Sequence, residues 1–366
     1  MKLLVVNFSI SNSGDFLIEE RMNSLVKKTF PCANIEFING LEDALAEGKE
    51  HEYDMIFAGG GPYYDDRIVE DIFLPFFHKI ICGRTRIHII GAGVYGEDFS
   101  DKGIYQKKFG DTAMQFFKSI EKNGGTFGCR DEISWRVMKN NGLSNVYITG
   151  CPAWYDFSFI DQVDVKMDKK ISKIVISDPG VTKCKEEQEC RAMQAVSVIN
   201  EIRTLFPEAE IRFTFNNGIL TKYSRRCNEI IRNHLIHKDI AYYDMSGDAA
   251  MFNVYNDADI HIGFRVHSHI YSLSRRIPSI LIEEDLRGYG MNETLGLPHL
   301  PSYDLIERHL NNRYQPNQCL NNHLADLIQY NLATGFARYE GVFRIMKQMY
   351  YNNFINWSRM VNSEIQ

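Results

Sequence analysis

The 366-residue sequence contains no Cys-x-x-Cys pair. Its eight cysteines stand at 32, 82, 129, 151, 184, 190, 227 and 319, and the closest two, Cys184 and Cys190, flank a stretch rich in Lys, Glu and Gln. A zinc site needs four ligands at workable spacing, so no metal is expected and the thiols read as reduced. Basic residues are not in excess: 41 Lys and Arg against 47 Asp and Glu give a formal charge of −6. That speaks against a general nucleic-acid binder, which carries a basic stripe. No apolar run reaches the ~18–20 residues of a bilayer span. The opening run 1–7 is too short for a secretory leader and passes directly into the polar run 9–15. A cytoplasmic location follows as the expectation, with at most peripheral contact at the inner membrane face. No Gly-Lys-Ser/Thr closes a Walker loop. Gly91-x-Gly93-x-x-Gly96 matches a dinucleotide pattern, but the polar run 97–103 follows where an apolar helix belongs. No cofactor is expected.

What is present is globular: 44% hydrophobic and 24% charged residues, in a chain long enough for two domains. Short apolar runs alternate with amphipathic stretches throughout. Strands are predicted at 3–8, 55–58, 87–90, 126–129 and 146–149, with helices at 16–30, 68–80, 111–122 and from Arg130-Asp131-Glu132 onward. A polar Lys/Asp-rich stretch at 161–172 reads as a linker. The alternation then restarts, with strands at 173–176, 210–215, 240–243, 259–263 and 278–282, and helices at 187–206, up to about 235, and 265–276. One long helical stretch, 322–357, follows. The pattern predicts two Rossmann-like α/β domains facing a cleft, over 1–165 and 166–320, with 321–366 as a helical segment packing back on the first. The segment 342–360 carries apolar residues with several Lys and Arg, which also permits a membrane-surface reading.

In open parallel sheets ligands bind at the carboxyl ends of strands, and the chemistry-bearing residues cluster at those ends. Asn12-Ser13-Gly14-Asp15 joins the first strand to its helix, where glycine allows close approach and a helix start favours anions. Gly59-Gly60-Gly61 and Gly91-Ala92-Gly93 end the next strands, with Gly60, Gly61 and Gly93 as candidate contacts. Arg130-Asp131 opens a helix, Asp131 as cap and Arg130 facing an anion or a carboxylate. Gly263-Phe264-Arg265-Val266-His267 is the strongest segment. Val266, Ile270, Leu273 and Ile277 share a predicted core face, which leaves Arg265 and His267 off it, at the positive helix end. Glu284, Asp285 and Arg287 follow the last strand as a charged loop.

Taken in order, these segments resemble the polysaccharide pyruvyl transferase family. The family pattern has an early Asn-x-Gly-Asp, a Gly-rich strand end, an Arg-Asp before a helix, a Gly-Asp-Pro-Ala and a late Gly-x-Arg-x-His. A Pro-led strand, a Tyr-Asp-x-Lys loop and Leu-Gly-Leu-Pro follow. This chain answers with Asn12 to Asp15, Gly59 to Gly61, Arg130-Asp131, Gly150-Cys151-Pro152-Ala153, Gly263 to His267, Pro278, Glu284-Asp285-Leu286-Arg287 and Leu295-Gly296-Leu297-Pro298. It departs at Cys151 (Asp in the pattern), Glu284 (Tyr) and Arg287 (Lys). The resemblance implies the GT-B glycosyltransferase architecture and transfer of a pyruvyl group from phosphoenolpyruvate onto a sugar, as a ketal, with a saccharide acceptor, lipid-linked ones included. Carried over, Arg130, His267 and Arg287 are the catalytic set: His267 as imidazolium acid, the two arginines on the donor's anionic groups. Asn12, Gly14, Asp15, Gly60, Gly61, Gly93, Arg265, Glu284 and Asp285 are expected to bind substrate. Two other readings stand beside this one. A nucleotide-sugar glycosyltransferase would place a diphosphate at Arg265 and a ribose at Glu283 or Glu284. A non-catalytic sugar-binding protein would keep only the fold.

Overall fold

A computed structural model describes residues 1–40, 52–61, 63–76, 85–98, 100–165, 170–305, 307 and 314–363. Positions 77–80 of the helix expected at 68–80 and positions 166–169 of the expected linker lie outside the described residues. Two wholly parallel sheets form. The first contains β1 (Lys2–Asn7), β2 (Asn34–Asn39), β3 (Met55–Gly59), β4 (Arg86–Ala92), β5 (Thr126–Cys129) and β6 (Val146–Ile148), in the order β2-β1-β3-β4-β5-β6. The second contains β7 (Lys173–Ser177), β8 (Glu210–Phe215), β9 (Ala241–Asp244), β10 (Ile260–Gly263) and β11 (Ser279–Leu281), in the order β11-β10-β7-β8-β9. The longer helices are α1 (Ser13–Thr29), α2 (Asp111–Lys122), α3 (Glu132–Asn140), α4 (Lys185–Leu205), α5 (Arg225–His237), α6 (Val266–Ser274), α7 (Leu286–Leu295), α8 (Leu320–Ala333), α9 (Arg338–Gln348) and α10 (Ile355–Ser363). These are two parallel-sheet α/β domains in the GT-B arrangement.

Strand order reverses between β1 and β3 in the first sheet and between β10 and β7 in the second. Loops leaving opposite ways at such a point open a crevice at the strands' carboxyl ends. Asn12, Gly180 and Arg265, which follow β1, β7 and β10, line one cavity.

The inner strands β1, β3, β4 and β5 are buried on both faces of the first sheet, which is why they read as apolar runs without alternation. Leu3, Val5, Met55 and Phe57 join one core with α1 and the carboxyl-terminal helices, while Leu4, Val6, Ile56 and Ala58 face a second core with α2 and α3. β2 has no sequence prediction behind it. It is an edge strand paired only with β1, and its Ile35, Phe37 and Ile38 are partly buried between polar neighbours, so it shows no apolar run.

Beyond Leu320 the expected single helix breaks. Gly335 and Phe336 take left-handed φ of 60° and 58°, and a π-helical turn at Met349–Phe354 precedes α10. The apolar side of this region is occupied: Val342, Phe343, Met346, Tyr350, Phe354 and Trp357 are all buried. Trp357 Nε1 donates to Thr126 Oγ1 in the first sheet at 3.0 Å. That face packs on protein and is not offered to lipid. No helix among the described residues is long and apolar enough to cross a membrane. Trp357→Ala removes a large buried ring and its hydrogen bond. A loss of about 3–5 kcal/mol in urea unfolding is expected.

Candidate active site

Four helices start around one cavity, lined among others by Asn12, Arg130, Arg265, His267, Asp285 and Arg287. A helix start leaves N–H groups without partners, and three of the four are capped. Asn12 accepts from Gly14 N–H (3.1 Å) at α1, Asp131 from Ser134 N–H (2.7 Å) at α3, and Asp285 from Arg287 N–H (2.9 Å) at α7. The fourth, α6, has Arg265 at its cap position and no side-chain cap. Arg265 is committed elsewhere: its Nε and Nη2 each reach Asp178 at 2.7 Å, and its backbone N–H donates to Ser177 Oγ. The field and N–H groups of α6 therefore face the cavity uncompensated, the arrangement that holds an anion.

Arg130 is 2% exposed. Its Nε donates to Asp131 at 3.0 Å, and its buried Nη2 has no partner among the described residues. A buried guanidinium nitrogen left unsatisfied is costly. Arg130 lines the cavity. Arg287 grips Asp285 with Nε and Nη2 at 2.6–3.1 Å, which leaves Nη1 outside the fork. A lysine cannot hold the carboxylate with one edge and offer a second nitrogen. The charged run expected at the sheet's carboxyl edge is not an open loop. Glu284 and Asp285 are buried, and α7 begins at the next residue. Glu284 accepts from Arg191 Nη1 (2.6 Å) and from Gly180 N–H (2.5 Å). Burial pushes the Glu284 carboxyl upward against the pull of Arg191. Burial also opposes ionisation of Asp285, but Arg287 outweighs it and the carboxyl is lowered.

His267 is buried and its Nε2 has no partner among the described residues. Burial first, then Arg130, Arg287 and Arg265, lower it to about 3. This corrects the expectation of an imidazolium: with three guanidinium charges around it and little water, the ring is neutral in the free protein. The expected face assignment of α6 also changes. Residues 267–274 are buried on every side, and Val266 is only partly buried and lines the cavity.

Two predicted glycines owe their place to these side chains. A Cβ on Gly14 would stand 1.9 Å from His267 Nδ1, and one on Gly93 2.5 Å from Arg130 Nε. Gly60 and Gly61 do not line the cavity. They turn the chain at positive φ beside Ile18 and Tyr63. Cys151, where the family pattern has aspartate, lies in the apolar core with its thiol pushed by burial up to about 11, so Asp131 holds Arg130 without it. Sequence reasoning missed Asp178, Gly180, Arg191 and Asn216. Ser177-Asp178-Pro179-Gly180 stood at a strand end, where it could have been found. Arg191 lies within a helix and carries no local signal. Among the described residues no group of His, Cys, Asp and Glu is arranged to hold a metal.

Two parallel-sheet domains with a cavity at their strand ends define an α/β protein of the GT-B fold. The polysaccharide pyruvyl transferase profile matches residues 12–285, and the chain belongs to that family. No curated protein sequence matches it. Similar solved structures include UDP-GlcNAc 2-epimerase from Neisseria meningitidis bound to UDP-GlcNAc. It is 11% identical, with 100% of this chain and 99% of that one covered and a TM-score of 0.59. S. aureus MnaA with UDP is 10% identical, with 99% and 95% covered and a TM-score of 0.56. A trehalose-6-phosphate structure from E. coli bound with UDP-2-fluoro glucose is 10% identical, with 100% and 99% covered and a TM-score of 0.55. At such identities the likeness is one of fold.

Proposed function

We propose that this protein transfers the pyruvyl group of phosphoenolpyruvate to two hydroxyls of a saccharide, forming a ketal and releasing phosphate. The observation that carries the reading is a pair of buried, unpartnered nitrogens, Arg130 Nη2 and His267 Nε2, on the walls of one cavity with an uncapped helix start. Phosphoenolpyruvate carries a phosphate and a carboxylate. Arg130, Arg287 and the first turn of α6 supply donors for both. His267, held neutral, is suited to take a proton from the attacking hydroxyl. The acceptor enters from the open side of the cleft, and lipid-linked saccharides belong to the acceptor class proposed.

The solved relatives named above hold uridine diphosphate groups, and a diphosphate is the competing occupant of an anion site of this kind. Thermal unfolding separates the two. Phosphoenolpyruvate at a hundred times its Kd stabilises by about 2.7 kcal/mol, whereas UDP-sugars leave the midpoint unchanged. The reverse result favours a glycosyltransferase. With an acceptor found by screening saccharides for phosphate release, His267→Gln is expected to lower the rate by about 10²–10⁴ while phosphoenolpyruvate still binds. Full retained activity removes His267 from the chemistry.

A further inference from the structure

The carboxylates around this cleft are nearly all held by a cation. Asp131 is held by Arg130, Asp178 by Arg265, Asp285 by Arg287 and Glu284 by Arg191, at 2.6–3.0 Å. Glu283 is bonded to Asn292 and His299. Asp15 makes no ion pair among the described residues. It stands in the first turn of α1, beside the cavity-lining Asn12 that caps that helix. That turn is held in place from both sides. Ser13 N–H donates to the carbonyl of Asn216 at 3.1 Å, and Gly14 approaches His267 so closely that a Cβ on it would stand 1.9 Å from Nδ1. The charged and titratable groups acting on Asp15 are Arg287, Arg265 and Tyr63, with Asn12 hydrogen-bonded to its carboxyl.

On the donor reading given above, we infer that Asp15 is the general acid of the reaction. It takes up a proton when phosphoenolpyruvate binds and delivers it to the methylene carbon, and His267 is the base. The neutral imidazole packs against Gly14, whose chain neighbour carries the unpaired carboxyl, and the surroundings of the two groups drive them in opposite directions, the pattern that sorts an acid from a base. Burial raises Asp15 to about 6, against the pull of Arg287, while His267 is lowered to about 3. A bound anion close to Asp15 raises it further and makes the acid form dominant at neutral pH.

The proton count closes. The C2=C3 electron pair of phosphoenolpyruvate takes the Asp15 proton at C3, which becomes a methyl group. The first hydroxyl oxygen bonds to C2 and its proton passes to His267. The C2–O bond to phosphate then breaks, with its electron pair leaving on the phosphate. The second hydroxyl oxygen bonds to C2, and its proton goes to that phosphate. His267 returns its proton to Asp15. Two hydroxyl protons are lost, one is gained by carbon and one by phosphate, and both residues are restored.

Calorimetric titration of phosphoenolpyruvate into the full chain, in buffers of different ionisation enthalpy, reads proton uptake without any acceptor. At pH 7 the wild type is expected to take up approaching one proton per site, since Asp15 is mostly ionised beforehand. Asp15→Asn loses that uptake and His267→Gln keeps it. Uptake also falls away as the pH drops through 6, where free Asp15 is already protonated. Uptake that survives in Asp15→Asn, vanishes in His267→Gln or persists undiminished near pH 5 assigns the proton to His267 and overturns the inference. The pH series decides the matter even if Asp15→Asn binds too weakly to titrate. A wild-type chain that binds no phosphoenolpyruvate overturns the donor reading itself, a result separate from binding without proton uptake.

Discussion

Alanine at Gly14 is expected to reduce phosphate release by about 10² or more while the chain stays folded. The added Cβ meets three atoms of His267, Nδ1 at 1.9 Å, Cγ at 2.4 Å and Cβ at 2.7 Å. Helix α6 is buried along its length, so the ring cannot step back as a unit. The side chain must rotate, and Nε2 leaves its place on the cavity wall. A misplacement of about 1 Å at a reacting group is enough for a hundredfold loss. Folding suffers less. Overpacking costs about 1–3 kcal/mol, and replacing a helical glycine returns about 0.5–1 kcal/mol. Gly93→Ala is expected to act in the same way through Arg130, whose Nε, Cζ and Nη2 lie within 2.8 Å of the new Cβ. Gly341 in α9 is the control, since a Cβ there meets nothing within 4 Å. Its alanine variant keeps full activity and gains about 0.5–1 kcal/mol. Paired measurement of phosphate release and urea midpoint checks all three. Wild-type rates in Gly14→Ala would mean that His267 is not where the reaction takes place.

Acid is the second large effect. His88, His261, His267 and His269 are each lowered, chiefly by burial, with His88, His267 and His269 at about 3. The sign follows from which state binds the proton. Below the ordinary histidine value near 6.5 the unfolded chain takes protons that the native chain refuses, so stability is whole above that pH and falls beneath it. Each neutral buried histidine costs about 1.4 kcal/mol per pH unit, so four together cost on the order of 5 kcal/mol per unit. Asp15 and Glu284, raised by burial, work the other way as they bind protons in the native state first. His299, raised by its bonds to Glu283 and Glu293 despite its burial, also adds stability below its ordinary value. These are fewer, and the net direction is loss. With a total stability of roughly 5–15 kcal/mol, unfolding without denaturant is expected by about pH 5. Urea unfolding at pH 7.5, 6.5 and 5.5 gives the slope. A flat profile would show that the imidazoles are reached by solvent and charged.

His267 shows how far the sequence reaches. Its place at the start of a helix after a strand was legible, because Asp259 to Gly263 alternates polar residues with Ile260 and Ile262 as a strand does, ends in glycine, and is followed by residues helical in pattern. Its protonation state was not. That depends on Arg130, 137 positions away in the chain, and on Arg287 twenty residues on, and on how little water the packed helix admits. For the charged run Glu283 to Arg287 the sequence left two readings open, a site at the sheet's carboxyl edge or a solvated loop, since four charges in five residues normally seek water. It is buried because Arg191 and Gly180 come from other elements to meet Glu284, and Arg287 folds back on Asp285.

The repeated strand, turn and helix signals set the α/β class, the two sheets and the strand ends that bear the chemistry, because those depend on local periodicity and turn residues. The family pattern was legible for the same reason, being a series of short motifs in order. Which arginines are tied to carboxylates and which keep a nitrogen for an anion, which helix start is left uncapped, and which carboxyl stands alone were decided only by the tertiary structure. Those are properties of pairs drawn from distant parts of the chain. Burial and mutual distance set their energies, and neither is written in the order of the residues.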